Sequence, residues 1–179
     1  LKSDTKLKNR TINGYLKTIQ AVISFAVNER YLKSHPLRGI KFLLEESDNA
    51  SWIPFEKDDL VKLFLSSEFA KWRCDSPPKF WIPFISLFTG ARIEEISQLK
   101  RKDIKFNEDV YYFDINEIDE DKNLKTKSSI RCVPIHPELI KLGFLEYIAP
   151  IESESFIFPN LIACENRRGH SVSKSFSAY

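Results

Sequence analysis

Residues 86–106 read SLFTGARIEEISQLKRKDIKF, and the break at Thr89-Gly90 decides how the chain is parsed. Before it, residues 80–90 (FWIPFISLFTG) are densely apolar, as a helix buried all round must be. After it, residues 91–104 (ARIEEISQLKRKDI) resume a helical period with Ile93, Ile96 and Leu99 on the buried side. Arg92 falls at the N-terminal edge of that stripe. A guanidinium there must be paired or must meet an anion, because an uncompensated charge is costly to desolvate. Glu95, three residues on, offers a local ion pair that steadies the helix start. A phosphate clamped at the helix N-terminus is the other partner of suitable charge. The residues alone leave both readings open.

C-terminal to this stretch the period changes. Residues 110–115 (VYYFDI) are aromatic and β-branched and read as a strand; residues 130–135 (IRCVPI) alternate and read as its returning partner. Between them lies the polar turn NEIDEDKNLKTKSS, with Lys125 and Lys127 near its end. These lysines read either as ordinary turn residues or as a cation on a hairpin tip, reaching into a groove toward a phosphate. Residues 137–148 (PELIKLGFLEYI) return to a helical pattern, and residues 169–179 (GHSVSKSFSAY) open another helix that Ser171 or Ser173 is placed to cap. Arg167, Arg168 and Lys174 make a basic spot there, either loop charges or phosphate contacts.

N-terminal to it, residues 53–67 (IPFEKDDLVKLFLSS) start a helix with Pro54 in the first turn and Glu56, Asp58 and Asp59 at the positive end of the dipole. The polar, acidic stretch at 43–51 reads as a linker. Residues 7–30 carry a helical stripe of Ile12, Leu16, Ile19, Ile23, Ala26 and Val27, with Lys6, Lys8, Arg10 and Lys17 around its first half; Pro36 and Gly39 end the element. The fold class expected is mainly α with a small antiparallel β element (α+β). Its parts are a helical segment at 1–42, the linker at 43–51 and a second domain at 52–179.

Charge is unevenly spread. The net charge is only +2, but residues 1–42 hold nine Lys/Arg against two Asp/Glu, or +7, and the rest carries −5. A basic block beside an acidic body points to an anionic partner at one end. The three cysteines, Cys74, Cys132 and Cys164, form neither a zinc spacing nor an even disulfide set, which suits reduced thiols in a cytoplasmic setting. No apolar run is long enough for a membrane helix and no apolar stretch follows the basic first residues, so neither a span nor a signal peptide is expected.

Two motifs together resemble the tyrosine recombinases, the phage-integrase family. TGARIEEISQLKRKDI (89–104) is similar to that family's first-arginine motif: Thr-Gly, one residue, Arg, Glu three later, then Leu and Asp-Ile. LKTKSSIRCVPIHPEL (124–139) is similar to its β-hairpin lysine motif, closed by Val-Pro-Ile. RTINGYLKTIQAVISFAVNERYL (10–32), with the HPLRGI that follows, resembles the end of the family's core-binding domain. The likeness therefore touches nearly the whole chain.

The resemblance implies the DNA breaking-rejoining catalytic fold, with residues 1–42 as the end of a DNA-clamping domain and 52–179 as the first part of the catalytic domain. It implies site-specific recombination, such as integration or excision of a phage or mobile element in a bacterial cytoplasm. A tyrosine hydroxyl attacks a phosphodiester of double-stranded DNA, forms a 3′-phosphotyrosyl link and frees a 5′-hydroxyl. A second 5′-hydroxyl reverses the step. No metal and no nucleotide cofactor takes part, since the bond energy stays in the covalent intermediate, and the enzyme works as a homotetramer on two duplexes. Arg92 then has the role of first catalytic arginine and Glu95 supports it. Lys125, or alternatively Lys127, is the hairpin general acid. Lys6, Lys8, Arg10, Lys17, Lys127, Arg131, Arg167, Arg168 and Lys174 are the expected DNA contacts.

The family's second cluster, His-x-x-Arg followed by the nucleophilic tyrosine, has no match in the chain. His35, His136 and His170 lie outside any such pattern and read as structural or solvent-facing. Tyr179 has no preceding arginine motif and reads as a packing residue. The expectation is that these residues belong to a fragment of a longer enzyme and do not cleave DNA by themselves. A non-catalytic DNA-binding regulator that shares the fold is the alternative.

Overall fold

The computed structural model describes residues 7, 9–41, 53–164 and 167–179. The chain divides into two compact units, Leu1–Phe55 and Glu56–Tyr179. The linker expected at 43–51 lies outside the described residues.

In the first unit the apolar stripe forms helix α1, Asn9–Asn28. Ile12, Leu16, Ile23, Ala26 and Val27 are half-buried, whereas Ile19 is exposed. The exit is stitched back onto the helix by Gln20, whose Nε2 donates to the carbonyls of Leu37 (2.8 Å) and Ile40 (2.9 Å). His35 Nε2 lies 3.0 Å from the Gln20 carbonyl, so this histidine works structurally, as expected.

The second unit is α+β. Its helices are α2 (Lys57–Phe64), α3 (Ser67–Asp75), α4 (Pro77–Thr89), α5 (Ile93–Ser97), α6 (Pro137–Lys141), α7 (Phe144–Ile148) and α8 (His170–Ala178). One antiparallel sheet runs β1 (Ile104–Asn107), β2 (Val110–Ile115), β3 (Arg131–Pro134), in that order. The core is centred on α4: Trp81, Ile82 and Ile85 are each about 1 % exposed and pack with Phe69, Phe113, Phe144 and Phe158. Trp81 meets Phe144 edge-on at 5.3 Å, which ties α4 to the segment behind the sheet. Tyr179 packs on Trp72, with ring centroids 4.9 Å apart, and its hydroxyl contacts Ser66 Oγ and the Leu63 carbonyl; it is a packing residue.

Four local readings are corrected by the structure. The helix after Gly90 is only five residues long. Beyond Ser97 the backbone turns to pair with residues 155–157 instead: Ile157 N–H donates to the Leu99 carbonyl at 2.9 Å and Arg101 N–H to that of Ser155 at 2.9 Å. The β element has three strands, not two, because Ile104–Asn107 pairs with β2 across a two-residue turn at Glu108-Asp109. Both turn residues have positive φ, 48° and 62°, the twist that a tight hairpin needs. The helix expected at 137–148 is split by Gly143, whose φ of 88° suits glycine. Finally, α8 begins at His170 with Gly169 at its N-cap, so neither Ser171 nor Ser173 caps it, and its N-terminus is capped from another helix. Glu94 on α5 accepts from Arg168 N–H (2.7 Å) and Gly169 N–H (2.9 Å).

Candidate functional site

Arg92 owes its position to the Thr-Gly break. Gly90 ends α4 in the left-handed region at φ 64°, and its N–H returns to the Ser86 carbonyl at 2.9 Å. Thr89 Oγ1 donates to the Ile85 carbonyl (2.6 Å) and accepts from Ala91 N–H (3.1 Å), which fixes the chain direction after the turn. Arg92 is then the N-cap of α5 in extended backbone. Glu95 Oε2 accepts from the Arg92 N–H at 3.1 Å, one arm of a capping box.

The local pair foreseen between Arg92 and Glu95 forms: Nη1 lies 2.7 Å from Glu95 Oε1. The same Nη1 donates to Ser129 Oγ at 2.9 Å. Arg131 on β3 reaches the same acid, with Nη2 2.9 Å from Glu95 Oε2, and its Nη1 donates to the Ser129 carbonyl at 2.8 Å. Two guanidiniums thus converge on one buried carboxylate. The Glu95 side chain is 3 % exposed, Arg131 33 % and Arg92 55 %. Gly90, Arg92, Glu95, Ser128, Ser129 and Arg131 line an open recess of about 290 Å³ with a local charge of +1.

Burial alone would raise the Glu95 pKa. The hydrogen bonds from Arg131 and from the Arg92 backbone and guanidinium outweigh it and hold the carboxyl below its ordinary 4.5. The ionised form therefore stabilises the fold fully above the unfolded-state value, and that contribution is lost as pH falls through the lower folded value. Glu95→Gln is expected to cost about 1.5–3 kcal/mol at pH 7, the worth of hydrogen bonds to a charged group. The gap to wild type should narrow below pH 4.5. Thermal unfolding of both proteins across pH 3–7 checks this; a gap that does not vary with pH contradicts it.

Lys125 and Lys127 are both exposed, on either side of Thr126. Thr126 Oγ1 lies 2.9 Å from Ser128 Oγ and 3.2 Å from Ser129 Oγ, so the lysine-bearing turn is joined to Arg92 through one shared hydroxyl. The root of the connection is pinned more firmly. Gln98 on the Arg92 side accepts from Asn123 N–H (2.5 Å) and donates to its carbonyl (3.1 Å), as a strand neighbour would. Lys122, 2 % exposed, donates to both Asp103 oxygens at 2.9 and 2.8 Å and to Asn116 Oδ1 at 3.0 Å. Asp119 beside it is held down to about 2, first by the hydrogen bond from Lys102.

The other predicted contacts are dispersed. Arg10 and Lys17 are exposed on α1 of the first unit; Lys6 and Lys8 lie outside the described residues. Arg167 and Lys174 are exposed. Arg168 is placed differently from a solvent-facing phosphate contact. Its Nε donates to the Ser97 carbonyl (3.2 Å), its Nη2 to that of Phe158 (3.2 Å), and its guanidinium stacks 3.7 Å above the Phe156 ring. Burial lowers its pKa. A larger recess of about 480 Å³ nearby is lined by Glu94, Glu120 and Asp121 against Lys122 and Arg168, a charge balance that disfavours anions. His136 caps α6 through Nδ1, which accepts from Glu138 N–H at 3.2 Å, and stacks on Phe88.

Sequence reasoning named Arg92, Glu95 and Arg131 but did not foresee Arg131 and Glu95 as partners, nor Ser129, Gln98 and Lys122. Arg131–Glu95, Arg92–Ser129 and Gln98–Asn123 are 36, 37 and 25 residues apart, so no local spacing links them, and Lys122 reaches Asp103 across 19 residues. Among the described residues no group of His, Cys, Asp and Glu could hold a metal, and no helix is long and apolar enough to cross a membrane. No family model, no curated protein and no solved structure matches the chain.

Proposed function

We propose that the chain is part of a tyrosine-type site-specific recombinase that cleaves and rejoins double-stranded DNA through a 3′-phosphotyrosyl intermediate. The observation that carries the reading is the pair of guanidiniums on Glu95 beside the lysine-bearing turn. An isolated Arg92–Glu95 pair would be electrostatically silent. The recess instead keeps a positive charge and a guanidinium edge open to solvent, in the place where the resemblance puts the first catalytic arginine.

The chemistry follows from these groups. As a phosphodiester passes through a five-coordinate centre, charge gathers on its non-bridging oxygens. Fixed donors aimed there stabilise that state more than the ground state. Arg92 is fixed by the Gly90 turn, by Glu95 and by Ser129. The leaving 5′-oxygen needs a proton, and by this reading Lys125 or Lys127, exposed on the turn whose Ser128 and Ser129 line the recess, supplies it. The tyrosine nucleophile is not assigned to Tyr179, which is engaged in packing. By this reading residues 56–179 supply the first arginine and the hairpin lysine, and α1 supplies backbone contacts through Arg10 and Lys17.

Binding to a fluorescent DNA duplex over a range of salt tests the partner. Phosphate contacts release counterions, so the logarithm of affinity should fall linearly with the logarithm of salt, with a slope of about −0.9 per phosphate neutralised. Binding independent of salt, or none at low salt, contradicts DNA as the partner.

A further inference from the structure

The charge of the anion recess depends on who compensates Glu95. Arg92 and Glu95 by themselves sum to zero. Arg131 adds the second guanidinium, through Nη2 to Oε2 at 2.9 Å, and is the less exposed of the two arginines, so its contact with the carboxylate is the less screened. Arg131 is itself held in place, since its Nη1 donates to the Ser129 carbonyl. On Arg92, Nη1 is committed to Glu95 Oε1 and Ser129 Oγ. Its Nε–H and Nη2 take no partner among the described residues, which leaves one edge of the fork for a bidentate anion.

We propose that Arg131 is a positioning residue for the phosphate site: by compensating Glu95 it leaves the charge of Arg92 to the phosphate. This rests on the reading of the recess as a phosphate site and adds to it a division of labour. Glu95 orients Arg92, Arg131 cancels the cost of having Glu95 there, and Ser129 joins both arginines to the turn that carries Lys125 and Lys127. Arg131 is therefore not an independent DNA contact. Its effect passes through the acid.

The test uses the 1–179 chain, with inorganic phosphate as the probe and the NMR signal of the Arg92 Nε–H as the readout. In the wild-type chain that signal should shift saturably with phosphate. Arg131→Gln should weaken the binding by about tenfold, the effect of returning one near-surface unit charge to the recess. Arg131→Lys, which keeps the charge, should bind nearly as the wild type does. The decisive variant is Arg131→Gln with Glu95→Gln. If Arg131 acts by compensating the carboxylate, removing that carboxylate should restore affinity; a merely structural Arg131 predicts a double variant weaker than either single one. Wild-type affinity in Arg131→Gln, or no recovery in the double variant, overturns the proposal while leaving the phosphate site standing. A wild-type chain whose Arg92 signal ignores phosphate overturns the site itself.

Discussion

Lys122→Ala is expected to destabilise the second unit by about 3–5 kcal/mol, the cost of leaving one partner of a buried ion pair uncompensated. Lys122 and Asp103 are 2 % and 3 % exposed, and the ammonium donates to both carboxylate oxygens. Without it Asp103 keeps, among the described residues, only the Asn116 amide at 3.2 Å and the Lys100 N–H at 2.6 Å, neither of which carries a charge. Against a typical domain stability of about 5–15 kcal/mol the loss is large enough to populate unfolded chain at ordinary temperature. The effect should also be local in origin. Asp103 closes the turn after α5, Asn116 follows β2, and Lys122 lies in the connection to β3, so the triad fastens the lysine-bearing segment to the arginine-bearing one. Urea unfolding is the measurement. Pairing Lys122→Met with Asp103→Leu should recover much of the loss, because a well-packed apolar pair can replace a buried ion pair. A change in Lys122→Ala below about 1 kcal/mol, the value of an exposed pair, would mean that the site is wetter than the structure has it.

Much of this arrangement was legible in the sequence, for local reasons. The Thr89-Gly90 stop, the apolar α4, the β2 and β3 strands and the pair Arg92–Glu95 all follow from periodicity, turn chemistry or a spacing of three. What escaped was decided by tertiary contact. Residues 99–104 keep a helical pattern in sequence, yet their backbone pairs with residues 155–157 and then with β2. The β1–β2 turn was hidden because Glu108-Asp109 takes positive φ without the glycine that usually announces it. Arg168 is basic and adjacent to Arg167, so composition placed it on the surface; the Phe156 ring and two carbonyls draw it in. The sharing of Glu95 between Arg92 and Arg131 could not be read at all, since a charge 36 residues away has no local signature.

Arg92→Ala carries the other large expectation. On the recombinase reading proposed above, in a protein that carries this chain together with a nucleophilic tyrosine, it should slow strand cleavage by about 10²–10³-fold or more, the usual consequence of removing one preorganised donor from a developing oxyanion. On the same reading DNA affinity should change little, because a single phosphate contact contributes modestly to binding a duplex. Arg92→Lys should recover little of the rate. An ammonium keeps the charge but loses the fork that meets Glu95 and Ser129 with one nitrogen while presenting another edge outward.

The most direct test of the recombinase reading is therefore single-turnover cleavage of a nicked suicide duplex by a protein that carries this chain together with a nucleophilic tyrosine, and by its Arg92→Ala variant, with the covalent protein–DNA adduct resolved by denaturing electrophoresis and duplex affinity measured in parallel. The account predicts an adduct with the wild type, none on the same timescale with the variant, and similar affinities. An adduct formed at equal rates by both would show that Arg92 serves only its neighbouring acid, and would contradict the phosphate site on which the functional reading stands.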